Sequence, residues 1–377
     1  MESIYSKINL PSIPVDLINS LRIFFEKGTL ENKVLFEKTY IDRWFKFNLP
    51  QMDLTAEAIM AQYRVRFMAS VIGNDARTPL RPTDGFKTFT EEIPRMGHRF
   101  PMSAKKLRKL LSVLESPRYS DQQKFNEVQK MLMVDTREAY LGCKDTADHI
   151  VLQALSNGGV AEFKPDLNNP DGRKFKVDYL MPDANKKVAT KNWDDANKST
   201  INPFEELQAI KLEFEQKGIT FGEMLVSPAL YAWIIGAPAV KRAILGTDKS
   251  GGVVTDAQLR EALTQYDLPQ FTKIVKGNTI QKDGVRSETI INPWNANKIV
   301  FKPAGIIGEV QPAFEDSEII QEPNVAYIDA GNGIRVAKWQ VGESTGQTAG
   351  EYTQASWRAL PIITDIAGVV DYQVRGF

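Results

Sequence analysis

The chain has 377 residues, 42% hydrophobic and 25% charged, enough to bury a sizeable core in two domains or one elaborated domain. Lysine plus arginine equal aspartate plus glutamate at 47 each. This argues against a dedicated nucleic-acid binder, whose affinity comes from a basic surface, and means that any wide basic face needs an equally wide acidic one. The single cysteine, Cys143, excludes an intrachain disulfide and fits a reducing compartment, and Met224 to Val240, the longest uncharged run, is too short and proline-broken for a membrane span.

The N-terminus lacks the basic and apolar regions of a secretory signal. From Pro14 to Phe47 large apolar residues dominate. Ile18, Leu21 and Phe25 share one helical face, Lys27-Gly28 is a helix stop, and the pattern then turns strand-like through Trp44 and Phe45. Such an aromatic arm needs a surface to lie on.

Gly73 to Pro101 is longer than the roughly 12–15 residues usual for loops in compact domains. Phe86, Phe89, Ile93, Met96 and Phe100 recur there between prolines 79, 82, 94 and 101, which is too apolar for disorder. With apolar side chains and no core of its own, the segment is expected to lie on another copy of the chain.

Ser103 to Leu114 predicts a short helix. Ser120 and Gln123 then form a capping-box pattern ahead of apolar residues from Phe125 to Ala154, and Asn157-Gly158-Gly159 supplies a stop. The resulting helix, 121–157, is long enough to act as a spine, and Gly142 is expected to bend it. Val160 to Met181 predicts a β-hairpin with a long tip at 168–172. Asn202-Pro203 opens a helix with asparagine as cap, Met224 to Val226 is a short strand, and Pro228 and Asp256 begin further helices, the latter running to Gln265. The last fifty residues are mainly strands: 325–328, 334–341, 352–359 and 369–374. A compact lobe on a spine with two arms is the implied architecture.

Chemistry finds little support. Gly342-Glu343-Ser344-Thr345-Gly346 matches the hydrolase nucleophile elbow, yet both histidines, His98 and His149, precede it and the residues after it are strand-like, so a turn accounts for it. Two histidines and one cysteine are too few ligands for a zinc site built from His and Cys alone. Cys143 is expected in the core and His149 at a polar or interface position. Asp194, Asp195 and Asn197 suit a turn rather than a calcium loop. No catalytic, cofactor or metal residue is assigned. Tryptophans 44, 193, 294, 339 and 357 suit either core or interface.

Three stretches resemble one family: Leu21-Arg22-Ile23-Phe24-Phe25 with Lys38-Thr39-Tyr40; Trp193-Asp194 through Lys198-Ser199-Thr200 to Asn202-Pro203; and Lys338-Trp339 through Glu351-Tyr352-Thr353, Leu360-Pro361 and Asp365 to Val374. With the order of elements, they are similar to the lambda-type (phage major capsid protein E) family of tailed phages, which has the Hong Kong 97-type fold. The resemblance implies an α+β fold divided into an N-terminal arm (1–60), an extended loop (61–101), a peripheral domain with spine helix and hairpin (102–199), a mixed α/β axial domain (200–318) and return strands (319–377). It implies hexamers and pentamers of a head shell around weakly contacted double-stranded DNA, assembled in the host cytoplasm with scaffold and portal proteins and, as a further option, a decoration protein. No membrane is involved. Contact candidates between subunits are Trp44, Phe45, Phe86, Phe89, Ile93, Phe100, Ser344 and Tyr352. Some relatives cross-link a lysine to an asparagine; Lys87 stands in the corresponding element, and nothing marks its partner. An encapsulin-like nanocompartment and a soluble enzyme are the alternatives.

Overall fold

The computed structural model describes residues 39–61, 86–102, 104–246, 251–282, 287–342 and 350–377, with side chains undescribed at 59–61, 86–88, 104, 132 and 133. The predicted N-terminal helix around Ile18, Leu21 and Phe25, the extended segment up to residue 85, the side chains of Phe86 and Lys87, and Ser344 lie outside the described residues.

Helix α1 (Tyr40–Trp44) starts at Thr39, whose amide and hydroxyl both donate to the Asp42 carboxylate. The strand-like reading of this stretch fails because five residues give little more than one turn, too short for a 3.6-residue period to register. The acceptor for its first N–H groups is remote: Asp148 takes bonds from the Tyr40 and Ile41 amides at 3.1 and 2.9 Å. Strands β1 (Phe45–Phe47), β2 (Thr55–Ala61), β3 (Phe86–Glu92) and β4 (Arg95–Pro101) come next, β2 pairing with β3.

Helix α2 (Ala104–Glu115) buries Leu110 and Val113. Helix α3 (Asp121–Leu155) then runs unbroken for 35 residues. Its start is the predicted capping box: the Ser120 amide donates to Gln123 Oε1 (3.0 Å) and the Gln123 amide to Ser120 Oγ (3.3 Å). It ends at Gly158 and Gly159, both at positive φ. Strands β5 (Val160–Phe163) and β6 (Phe175–Asp178) form the predicted hairpin, Phe163 opposite Phe175.

Beyond them come β7 (Lys186–Val188), α4 (Pro203–Glu215), β8 (Glu223–Val226), α5 (Pro228–Ile235), α6 (Pro238–Leu245), α7 (Asp256–Gln265) and β9 (Gln270–Lys273). Proline opens α4, α5 and α6, where its missing N–H would have had no helical partner. Asn202 stands at the cap of α4 as predicted but makes no side-chain capping bond, whereas Ser227 Oγ accepts from the Leu230 amide of α5. The chain continues with β10 (Asn278–Gln281), β11 (Glu288–Ile291), β12 (Lys298–Lys302), β13 (Gly308–Ala313), α8 (Asp316–Ile319), β14 (Ala326–Asp329), β15 (Arg335–Val341), β16 (Gly350–Ile362) and β17 (Val370–Gln373).

These elements divide into two units. The first takes the described residues of 39–56, 92–148 and 309–361. Its six-stranded sheet has the order β1-β13-β16-β15-β14, with β4 also paired to β16. Val336, Ala355, Trp357 and Ala359 are buried, and the Trp357 indole donates to the Asn332 carbonyl at 2.9 Å.

The second unit takes the described residues of 57–91, 149–308 and 362–377. Its five-stranded sheet, β7-β17-β12-β8-β9, is antiparallel at its centre and parallel at both outer pairs. Phe204, Phe214, Trp233, Leu263 and Phe301 belong to one apolar core with Trp193. Trp193 stacks on Trp233 (5.6 Å), meets Tyr372 edge-on (6.1 Å) and donates its indole N–H to Glu206, which makes it a core residue of its own chain.

Candidate functional site

The contact candidates are mostly covered by their own chain. Trp44, Phe45, Phe89, Ile93 and Tyr352 are all buried. Phe89 is 2% exposed and stacks on Tyr179, the rings 5.5 Å apart and within 4° of parallel. Tyr352 stacks on Trp339, and the Arg99 guanidinium lies 5.7 Å from the Tyr352 ring centroid. Phe100 is half-buried and tilts against His98. The expectation that the segment ending at Pro101 lacks a core is therefore corrected for its described part. Strand β4 is antiparallel to β16, Arg95 opposite Arg358 and Pro101 opposite Tyr352, so Met96 gains a covered sheet face. The partner strand lies some 250 residues further on, where local sequence gives no hint of it.

Three arrangements tie the base of this segment and α1 into the first unit. Arg95 Nε donates to Glu315 Oε2 at 3.1 Å, and Arg358 to Asp316 at 2.6 Å, so two arginines facing each other across the strands are each matched by an acid at the start of α8. Burial pushes the Glu315 carboxyl up, against the lowering influence of Arg95 and Arg358. Lys144 donates to Asp42 at 2.7 Å and lies over the rings of Tyr140 and Phe47. His98 donates from Nε2 to the Ala139 carbonyl of α3 at 3.0 Å, its ring filling the space beside Gly142. Gly142 thus serves this close approach, and α3 stays helical through it. None of these pairings had a local sequence signal.

The remaining sequence candidates carry no assembled chemistry. Cys143 is 1% exposed, and burial pushes its thiol up to about 12, which leaves it an unreactive apolar filler. His149 is buried against Phe163 and accepts at Nδ1 from Asn278; burial, then Lys276, push it down to about 4. Asp194 accepts from the Asn197 amide at 2.9 Å, a turn bond. The residues after Gly342 lie outside the described part, and the next described element is β16, a strand paired antiparallel to β15. Among the described residues no group of three or more His, Cys, Asp or Glu side chains could hold a metal ion, and no helix is long and apolar enough to cross a membrane.

A mixed α+β fold in which one long helix comes after a strand pair and precedes a hairpin, with the C-terminal strands returning to both sheets, defines a capsid-type architecture, the Hong Kong 97-type fold. The crystal structure of a candidate capsid protein from a prophage of E. coli CFT073 superposes with a TM-score of 0.56 and 12% identity, covering 95% of this chain and 98% of that one. A phage-related protein from Bordetella bronchiseptica RB50 aligns with a TM-score of 0.47 and 12% identity over 94% and 97% of the two chains. For the capsid of Myoviridae phage XM1 the values are 0.41, 10%, 92% and 97%. A search of curated proteins returns no match. The family profile of phage major capsid protein E matches residues 61–374, and the chain belongs to that family.

Proposed function

We propose that this phage major capsid protein assembles into hexamers and pentamers that close a tailed-phage head shell around double-stranded DNA. The observation that carries the reading is the family match from residue 61 to residue 374. The protein is then a structural, non-catalytic part of the virion, assembled in the host cytoplasm with scaffold and portal proteins and, as a further option, a decoration protein. The balanced 47 and 47 charges support a shell that holds DNA without gripping it, because strong phosphate contacts would oppose its movement into the head.

Within this reading, Phe86, Phe100 and Ser344 face neighbouring subunits. Trp44, Phe45, Phe89, Ile93 and Tyr352 serve instead to shape the surfaces that do. Negative-stain electron microscopy of the purified chain tests the reading. Closed shells are expected, with free rings as intermediates; a monodisperse monomer under every assembly condition would overturn it.

A further inference from the structure

Two Asn-Gly pairs stand in the chain, Asn157-Gly158 and Asn332-Gly333. A glycine after asparagine leaves its nitrogen unscreened by a side chain and its backbone free to turn, so that nitrogen can reach the asparagine side-chain amide. The fold treats the two pairs differently.

At the end of α3 both reacting groups are tied down. The Gly158 amide donates to Asp371 Oδ2 at 2.8 Å, and the Asn157 side chain donates to the Val160 carbonyl at 3.3 Å. Asp371 is itself buried and bonded to Lys298, which fixes the anchor. At the second pair neither group is held. Asn332 is exposed, and among the described residues neither its side-chain amide nor the Gly333 amide makes a hydrogen bond. Only the turn around them is fixed: the Ile334 amide donates to the Gly331 carbonyl at 3.0 Å, and the Asn332 carbonyl accepts from the Trp357 indole at 2.9 Å.

The fold itself calls for this dipeptide. Asn332 and Gly333 have φ of 57° and 77°, the paired left-handed values of a tight turn between strands, which Asn-Gly meets best. A β-carbon on Gly333 would also fall 3.1 Å from Pro312 Cβ, which favours glycine there.

We propose that Asn332 is a site of spontaneous covalent modification, an amide-to-acid conversion carried out by its own chain with water as the only co-reactant. As the turn flexes, the Gly333 nitrogen gives its proton to solvent base and attacks Asn332 Cγ. The new N–Cγ bond forms, the Cγ–Nδ2 bond breaks, and the amide nitrogen leaves as ammonia with a proton taken from solvent. Water then opens the cyclic imide: attack at Cγ leaves aspartate in an ordinary chain, and attack at the main-chain carbonyl leaves isoaspartate, with the chain routed through the side chain. Either product adds a carboxylate to a groove of about 620 Å³ that Asn332 lines with Asp329, Glu318 and Arg335. In isoaspartate the carbonyl that accepts from Trp357 leaves the main chain as a carboxylate, so the turn that anchors this buried indole is remade.

Peptide mapping by mass spectrometry tests this on the purified full chain, aged in mildly alkaline buffer with and without guanidinium chloride. In the folded chain the amide-to-acid mass gain should appear at Asn332 at least about tenfold faster than at Asn157, because only Asn157 is held by bonds that local opening must first break. In denaturant the two should react within about twofold of each other, since the same dipeptide is then equally free. Asn332→Gly, which keeps a residue at ease with positive φ, should abolish the gain in that peptide. Equal or faster conversion at Asn157 in the folded chain, a folded chain unconverted at Asn332 while the unfolded one reacts, or a tenfold difference that persists in denaturant would each overturn the proposal. The shell reading stands or falls separately.

Discussion

His98 occupies the space that a side chain at position 142 would need: a β-carbon on Gly142 would fall 2.1 Å from His98 Cε1 and 2.6 Å from Nε2. The helix accepts a glycine there, at a cost of about 1 kcal/mol relative to alanine, and receives a strand anchored to its Ala139 carbonyl. Gly142→Ala should destabilise the otherwise unchanged chain by displacing the ring. In a His98→Ala background the same change should stabilise by about 1 kcal/mol, because only the helix propensity is left. Urea unfolding of the four chains of this cycle, unassembled, gives the two signs.

Asp148 acts as a cap supplied from a distance. It is fully buried and satisfies two amides of α1 that have no helical partner. Asp148→Ala should cost about 2–4 kcal/mol, since buried donors lose a charged acceptor, and Asp148→Asn should cost less because one acceptor oxygen remains. Equilibrium unfolding of both variants checks the order.

His149 makes stability fall on the acid side. Its ordinary value is 6.5 and burial holds it near 4 in the folded chain, so the unfolded chain takes up the proton first. The contribution is intact above 6.5 and is lost as pH drops from there through 4, about 3 kcal/mol in all. Protonation would also remove the acceptor that Nδ1 offers Asn278. His149→Gln should flatten this part of the stability profile, measured by unfolding at a series of pH values.

Glu315 works in the opposite direction. Its carboxyl is fully buried and its pKa is raised, so the stability it contributes is complete below its ordinary value of 4.5 and is lost as pH rises through the raised folded value. Glu315→Gln should therefore stay within about 1 kcal/mol of the parent at neutral pH and lose the gain that the parent shows on mild acidification. Thermal unfolding at neutral and mildly acidic pH separates the two profiles.

Much of the local structure was legible. Ser120 and Gln123 marked the start of α3, and Asp256 and Gln265 bounded α7 as predicted. Glycines after Leu155 stopped α3, and the alternation around Phe175 gave the hairpin. These signals are carried by residues within a turn or two of one another. What failed was long in sequence separation. Helix α1 depends on Asp148, Gly142 answers to His98, and the covered faces of β4 come from β16.

The candidate site was legible only as composition. A net charge of zero hid an acid-free basic stretch and a cation-free acidic one, and spacing could not say that Glu315 and Asp316 of the second meet Arg95 and Arg358 where β4 pairs with β16. By itself the sequence determined the longer helices, the hairpin and the resemblance to a capsid family, because propensity, capping and composition act locally. Only the tertiary structure decided that Phe89, Ile93 and Met96 are covered by their own chain. Burial depends on which distant strand pairs with which, and that pairing is settled by packing across hundreds of residues.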